Sequence, residues 1–150
     1  MDVSDGLDPP RRYWAMLAAV LGTFLSNLDG SIANVALPTI GSNLASSAAD
    51  TVWVVNAYQL AVAVAILPLA ALGERIGFKR VYTTGLIVFT LASIGCTLAP
   101  SLPLLIAARA VQGLGAAGSA TLGPALVRSI FPRSMARRGV GYVGITVAVG

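Results

Sequence analysis

The sequence predicts an all-α membrane protein with four complete transmembrane helices and the start of a fifth. Three observations carry this. Only 11% of the residues are charged and 56% are hydrophobic, whereas a soluble domain has roughly a quarter charged. The mean hydropathy is +0.80, and the apolar residues are gathered into runs of spanning length. The basic residues fall in alternate connections between those runs.

Residues 1–12, with Asp2, Asp5, Asp8 and the Pro9-Pro10 pair, read as a short disordered cytoplasmic tail. The spans follow at Tyr13–Leu37, Trp53–Leu72, Val81–Leu98 and Leu102–Leu126. Each has about the length that crosses ~30 Å of hydrocarbon at 1.5 Å per residue. A fifth apolar stretch, Gly139–Gly150, supplies only about 18 Å of helix. A terminus there would leave carbonyls unpaired in lipid. Residues 13–150 are therefore expected to be an incomplete N-terminal bundle, whose partners are the lipid bilayer and the remainder of the same protein.

Orientation follows from the charges. Arg11 and Arg12 precede the first span. Arg75, Lys79 and Arg80 lie between the second and third, and Arg128, Arg133, Arg137 and Arg138 between the fourth and fifth. Gly41–Asp50 and Ala99–Ser101 hold no Lys or Arg. The positive-inside rule then places the N-terminus in the cytoplasm of a multi-pass plasma-membrane protein. Arg109 is the one basic residue that does not obey it.

Composition also excludes. The net charge of +4 comes from cytoplasmic connections without the basic, aromatic-interleaved stripe of a nucleic-acid surface; anionic headgroups are the expected neighbours. Cys96 is the sole cysteine and there is no histidine, so no metal site is expected. Cys96 reads as a small buried hydrophobe. A cleaved signal is disfavoured because the first run is too long and is interrupted by Asn27 and Asp29.

The first span carries the most information. At 100° per residue, Leu21, Phe24, Leu25, Leu28, Ile32 and Val35 fall in one stripe about 100° wide. Gly22, Ser26, Asn27, Asp29, Gly30, Ser31, Ala33 and Asn34 occupy the rest. Close helix packing accounts for the small residues. It does not account for Asp29, since an intramembrane carboxylate costs about 2.5–3.5 kcal/mol. A polar cavity or water-filled path does. In the fourth span Arg109, Gln112, Gly113, Ala116, Ala120 and Gly123 share a face. The Arg109 guanidinium cannot shed its proton and must meet water, an anion or a carboxylate. Asp29 lies ~12 Å before the outer end of its span and Arg109 ~10 Å past the start of its own. The two are at similar depth, which leaves contact open.

Three motifs then stand in order. Leu28-Asp29-Gly30-Ser31-Ile32-Ala33-Asn34-Val35-Ala36-Leu37-Pro38 resembles the first-span motif of the fourteen-span drug:proton antiporters of the major facilitator superfamily, the EmrB/QacA-like branch. Leu72-Gly73-Glu74-Arg75-Ile76-Gly77-Phe78-Lys79-Arg80 resembles the loop signature of the whole superfamily. Leu105–Gly115, with Arg109, Gln112 and Gly113, resembles the fourth-span motif linked to proton coupling. Three departures stand out: Glu74 for the usual Asp, Ala70 for Gly, and Phe78 for a frequent Arg. The first keeps the charge, the second alters helix contact, and the third removes one possible ion pair.

From the residues alone, the eight positions Gly73–Arg80 must reverse the chain, with Gly73 and Gly77 easing the turn. Glu74 is expected to stabilise the start of the third span or to pair with an arginine. The resemblance implies that Gly73, Glu74, Arg75, Gly77, Lys79 and Arg80 form a conformational latch. It implies a substrate site between two six-helix bundles that rock to give alternating access. It assigns proton coupling or substrate binding to Asp29, Arg109 and Gln112, with Asn27, Asn34, Asn56 and Gln59 along the substrate path. A carboxylate balanced between burial and a nearby guanidinium can take a proton on one side and release it on the other; substrate and proton would compete for it. No nucleophile–base pair is present, so no catalysis is expected, and the proton gradient replaces a cofactor. The expected function is proton-coupled efflux of drugs or other amphipathic small molecules. An uptake symporter of the same superfamily is the alternative, and a non-transporting scaffold or receptor is disfavoured by Asp29 and Arg109. The Gly-Pro-rich motif that marks antiporters would begin just beyond Gly150.

Overall fold

A computed structural model describes residues 9–130. The helices are α1 (Pro9–Asn43), α2 (Ala48–Thr51), α3 (Trp53–Ile76), α4 (Phe78–Thr97) and α5 (Leu102–Ile130). Among the described residues, the stretches Ala48–Ile76 and Phe78–Thr97 are long and apolar enough to cross a membrane by themselves.

The four expected spans fall on α1, α3, α4 and α5; α1, α3 and α5 run past the expected ends, and α4 starts three residues earlier and stops one residue short. Residues 9–12, expected in the disordered tail, are helical. Proline is tolerated in a first turn, where the N–H it lacks has no intrahelical partner. Residues 1–8 and the fifth span at 139–150 lie outside the described residues. The eight-residue connection expected at Gly73–Arg80 is corrected to a single non-helical residue, because α3 continues to Ile76 and α4 starts at Phe78. Gly77 alone reverses the chain, with φ 97° and ψ 131°, a region that favours glycine. Gly73 is helical and buried, and its carbonyl accepts the Gly77 N–H at 3.0 Å. At the opposite end, Ser47 caps α2. Its Oγ accepts the Asp50 N–H at 3.1 Å, as an N-cap does, and donates to Asp50 Oδ2 at 2.7 Å.

Helix α5 is the centre of the packing, with its most extensive contacts to α4 and α3 and fewer to α1. Its small residues make this possible. A Cβ at Gly115 would stand 2.5 Å from the Phe89 backbone nitrogen, and one at Gly113 would stand 2.5 Å from the Tyr58 carbonyl oxygen. Backbone therefore meets backbone on two sides of α5, as in membrane helices that associate through small residues. Ala116, Ala117 and Ser119 are buried beside them.

The greasy stripe of α1 points outward. Leu21, Phe24, Leu25, Leu28, Ile32 and Val35 are all exposed. On the other side Gly22 is buried and Ser26, Asn27, Asp29, Gly30 and Ala33 are half-buried. In lipid the outward stripe is the favourable arrangement, and the polar face is turned toward α3 and α5.

Candidate functional site

The site grows from one buried guanidinium. Arg109, on α5, is only 4% exposed, so every donor it cannot satisfy costs free energy. Its Nη1 donates to Asp29 Oδ2 of α1 at 2.6 Å and to Gln112 Oε1 at 2.7 Å. Its Nε donates to the Val54 carbonyl of α3 at 3.4 Å. The guanidinium carbon lies 4.6 Å from the centre of the Tyr58 ring, within cation–π range. Val54 and Tyr58 are four residues apart, so they project from one face of α3 on successive turns.

Gln112, one turn after Arg109, completes the arrangement and is 1% exposed. Its Nε2 donates to Asp29 Oδ1 at 2.9 Å and to Ser93 Oγ of α4 at 2.7 Å. Its Oε1 also takes a weak Cys96 Sγ–H contact at 3.6 Å. Both oxygens of Asp29 are thus engaged from α5, one by charge and one by an amide. Four helices converge on a single polar node. Such a pair is held by geometry and hydrogen bonds rather than by Coulomb energy alone, since desolvation opposes it.

Asp29 and Arg109 are not sealed off. Both line a cavity of about 290 Å³ with Ala33, Ile40, Val54 and Thr97, and the Asp29 side chain is 26% exposed. Among the described residues the Asp29 carboxylate is therefore not fully covered. A second cavity, of about 560 Å³, is lined by Ser26, Asn27, Ser31, Asn34, Tyr58 and Gln59 among others. Asn27 Nδ2 is buried there without a hydrogen-bond partner.

Asp29, Arg109 and Gln112 are therefore brought together. Asn27, Asn34 and Gln59 are brought together separately, around the larger cavity. Asn56 is half-buried and lines neither cavity. Glu74 departs from expectation. It lies in the last turn of α3, exposed, and α4 has no acidic residue in its first turn. Because the connection contracts to Gly77, Glu74 cannot sit at the start of α4. Among the described residues it has no ion pair; Arg75, Lys79 and Arg80 are exposed around it.

Tyr58, Ser93, Cys96 and the Val54 carbonyl were not among the residues expected from sequence. Ser93 carried a faint signal as a hydroxyl in an apolar span. Tyr58 carried another, because it is one residue from Gln59 and one turn from Val54. The Val54 carbonyl carried none, being backbone.

Comparisons with known proteins agree with the motif order. The family model described as Major Facilitator Superfamily matches residues 19–150. The chain is 45% identical over 146 residues to an uncharacterised transporter, YebQ, of Escherichia coli K12, covering 97% of this chain and 32% of that protein. It is 35% identical to the riboflavin transporter RibZ of Clostridioides difficile 630, covering 93% of this chain and 31% of RibZ. It is 42% identical to the multidrug resistance protein Stp of Mycobacterium tuberculosis CDC 1551, covering 89% of this chain and 25% of Stp. The chain thus spans a third or less of the length of these relatives. With a match over most of its length and a buried Asp–Arg–Gln node where two of the three motifs cross, the chain belongs to the major facilitator superfamily.

Proposed function

We propose that this chain is the N-terminal part of a proton-coupled transporter that exports drugs or other amphipathic small molecules by alternating access. Its setting is a multi-pass protein of the bacterial inner membrane with a cytoplasmic N-terminus, driven by the proton gradient. The observation that carries the proposal is Asp29, a carboxylate held by Arg109 at 2.6 Å yet open to a cavity. A purely structural pair gains nothing from such access. A carboxylate that exchanges protons requires it.

In this reading Arg109 and Gln112 hold Asp29 while it is unprotonated and relax when it takes a proton. The α1–α5 contact then has two states, which is what a coupling ion must bias. Substrate occupies the larger cavity, where Asn27, Asn34 and Gln59 offer amides. The exposed cations at Gly77 act at the cytoplasmic surface as a latch against the other half of the protein. Multidrug-named relatives favour export. The riboflavin transporter among the relatives supports a second reading, uptake by the same machinery.

The test is Asp29→Asn in the full-length protein. Asn keeps the shape and one of the two acceptor oxygens that Arg109 and Gln112 engage, but cannot cycle a proton. It should insert normally and lose gradient-driven efflux from energised vesicles, while Glu should keep part of it. Wild-type efflux by Asp29→Asn would remove Asp29 from coupling.

A further inference from the structure

The two cavities share no residue among those described as lining them. Asp29 and Arg109 line the smaller one and are not among the residues lining the larger. The larger is walled by amides, hydroxyls, apolar side chains and Tyr58, without a carboxylate. A molecule bound there meets neither charge of the pair directly. Direct competition between substrate and proton for one carboxylate, the simplest coupling scheme, does not fit this arrangement.

One side chain reaches both places. Tyr58 lines the larger cavity, and its ring lies 4.6 Å from the Arg109 guanidinium carbon. Its backbone is pinned, because Gly113 of α5 packs against the Tyr58 carbonyl so closely that a Cβ would fall 2.5 Å away. The helix at this point cannot slide without moving α5. Only the ring is left to respond to what enters the cavity. Three of the five Arg109 N–H donors are committed: the two on Nη1 to Asp29 and Gln112, and the one on Nε to Val54. A change in the ring beneath it is felt at Asp29.

We propose that Tyr58 is the positioning residue that transmits occupancy of the Asn27–Gln59 cavity to the Asp29–Arg109 pair through the face of its ring. This inference rests on the transport function proposed above. The ligand class follows from the walls. Tyr58 offers an aromatic contact, and the unpartnered Asn27 Nδ2 asks for an acceptor. The cavity therefore suits an amphipathic, planar molecule with a hydrogen-bond acceptor, and a fixed positive charge is not required. Substrate and proton occupy different sites, joined by one residue.

The proton is the first probe. In the purified full-length protein, the carboxyl band that Asp29→Asn removes from pH-difference infrared spectra reports Asp29 protonation. Phenylalanine at position 58 retains the ring face, so the band's midpoint should stay at its wild-type position in Tyr58→Phe. In Tyr58→Leu it should move by at least about half a pH unit, since a cation–π contact to a buried guanidinium is lost. Graded fluorination of Phe at position 58 keeps shape and hydrophobicity while weakening the face, and should move the midpoint stepwise. It decides the matter if Tyr58→Leu does not fold. A midpoint unmoved by fluorination overturns the inference, as does a shift in Tyr58→Phe equal to that in Tyr58→Leu.

Ethidium in proteoliposomes is the second probe. Tyr58→Leu also removes an aromatic contact to the ligand, so ethidium counterflow, which needs no proton gradient, should fall, and gradient-driven efflux should fall about tenfold further. Equal loss of both would make Tyr58 a substrate contact only and overturn the positioning role. A wild-type protein with no band that Asp29→Asn removes sinks the proton-coupling function. A band that is present but insensitive to the ring sinks only the role of Tyr58.

Discussion

Gly113 of α5 and Tyr58 of α3 meet backbone to backbone, with room for no side-chain atom between them. A Cβ on Gly113 would lie 2.5 Å from the Tyr58 carbonyl oxygen and 2.9 Å from the Ala61 Cβ. Neither obstacle is the end of a flexible chain. The contact sets the distance between the two helices that hold Arg109, and so the depth at which its guanidinium meets the Tyr58 ring.

Gly113→Ala should therefore force α3 and α5 apart. Overpacking of this kind costs about 1–3 kcal/mol, which outweighs the gain of up to ~1 kcal/mol in helix propensity. Gly95→Ala is the control, because the nearest atom to its added Cβ is the Ala108 Cβ at 3.9 Å. Thermal inactivation of the detergent-solubilised full-length protein should occur at a lower temperature for Gly113→Ala. For Gly95→Ala it should be unchanged or slightly higher. Equal stability of the two variants would show that the close contact is not a constraint.

Gln112→Leu tests the amide at the centre of the node. Leucine is apolar and one bond shorter, and it takes away two donors and an acceptor, leaving Asp29 Oδ1, Ser93 Oγ and part of Arg109 Nη1 short of partners. Unsatisfied buried polar groups cost about 1–3 kcal/mol, more for charged ones. Combined with Asp29→Asn in a double-mutant cycle, the effects should be non-additive by ~0.5–3 kcal/mol. Additive stabilities would mean that Gln112 and Asp29 do not work as one network.

Topology can be read directly. With Cys96 replaced by Ser, single cysteines at Ala49, Ser101 and Lys79 occupy exposed positions. In whole cells an impermeant thiol reagent should label the first two and spare the third. The reverse pattern would invert the protein and place Asp29 in the inner half of the membrane.

How much of this was legible in the sequence depends on the range of the physics involved. The all-α membrane class, the order of the four long helices and the outward stripe of α1 are one-dimensional properties. They follow from hydropathy, length and the 3.6-residue period, each set by neighbours along the chain. The cost of burying Asp29 and Arg109 is local too, so the sequence by itself marked both as requiring a reason. Gln112 was marked by sharing their face and motif.

Which groups meet was decided by the tertiary structure. Similar depth is compatible with contact or with separation, and only the packing of α5 against α1 closes the pair to 2.6 Å. Sequence cannot disclose the Val54 carbonyl, since every residue has one. The 3.6-residue period turns Asn27 and Asp29 to different sides of α1, but only the packing of the other helices makes those sides two separate cavities. The short connection at Gly77 was misread for a related reason. Apolarity marks where lipid begins, whereas a helix ends where a residue leaves helical φ and ψ, and the charged residues on either side of Gly77 remain helical. Composition and period determined that a buried charge had to be compensated; the crossing of four helices decided by whom.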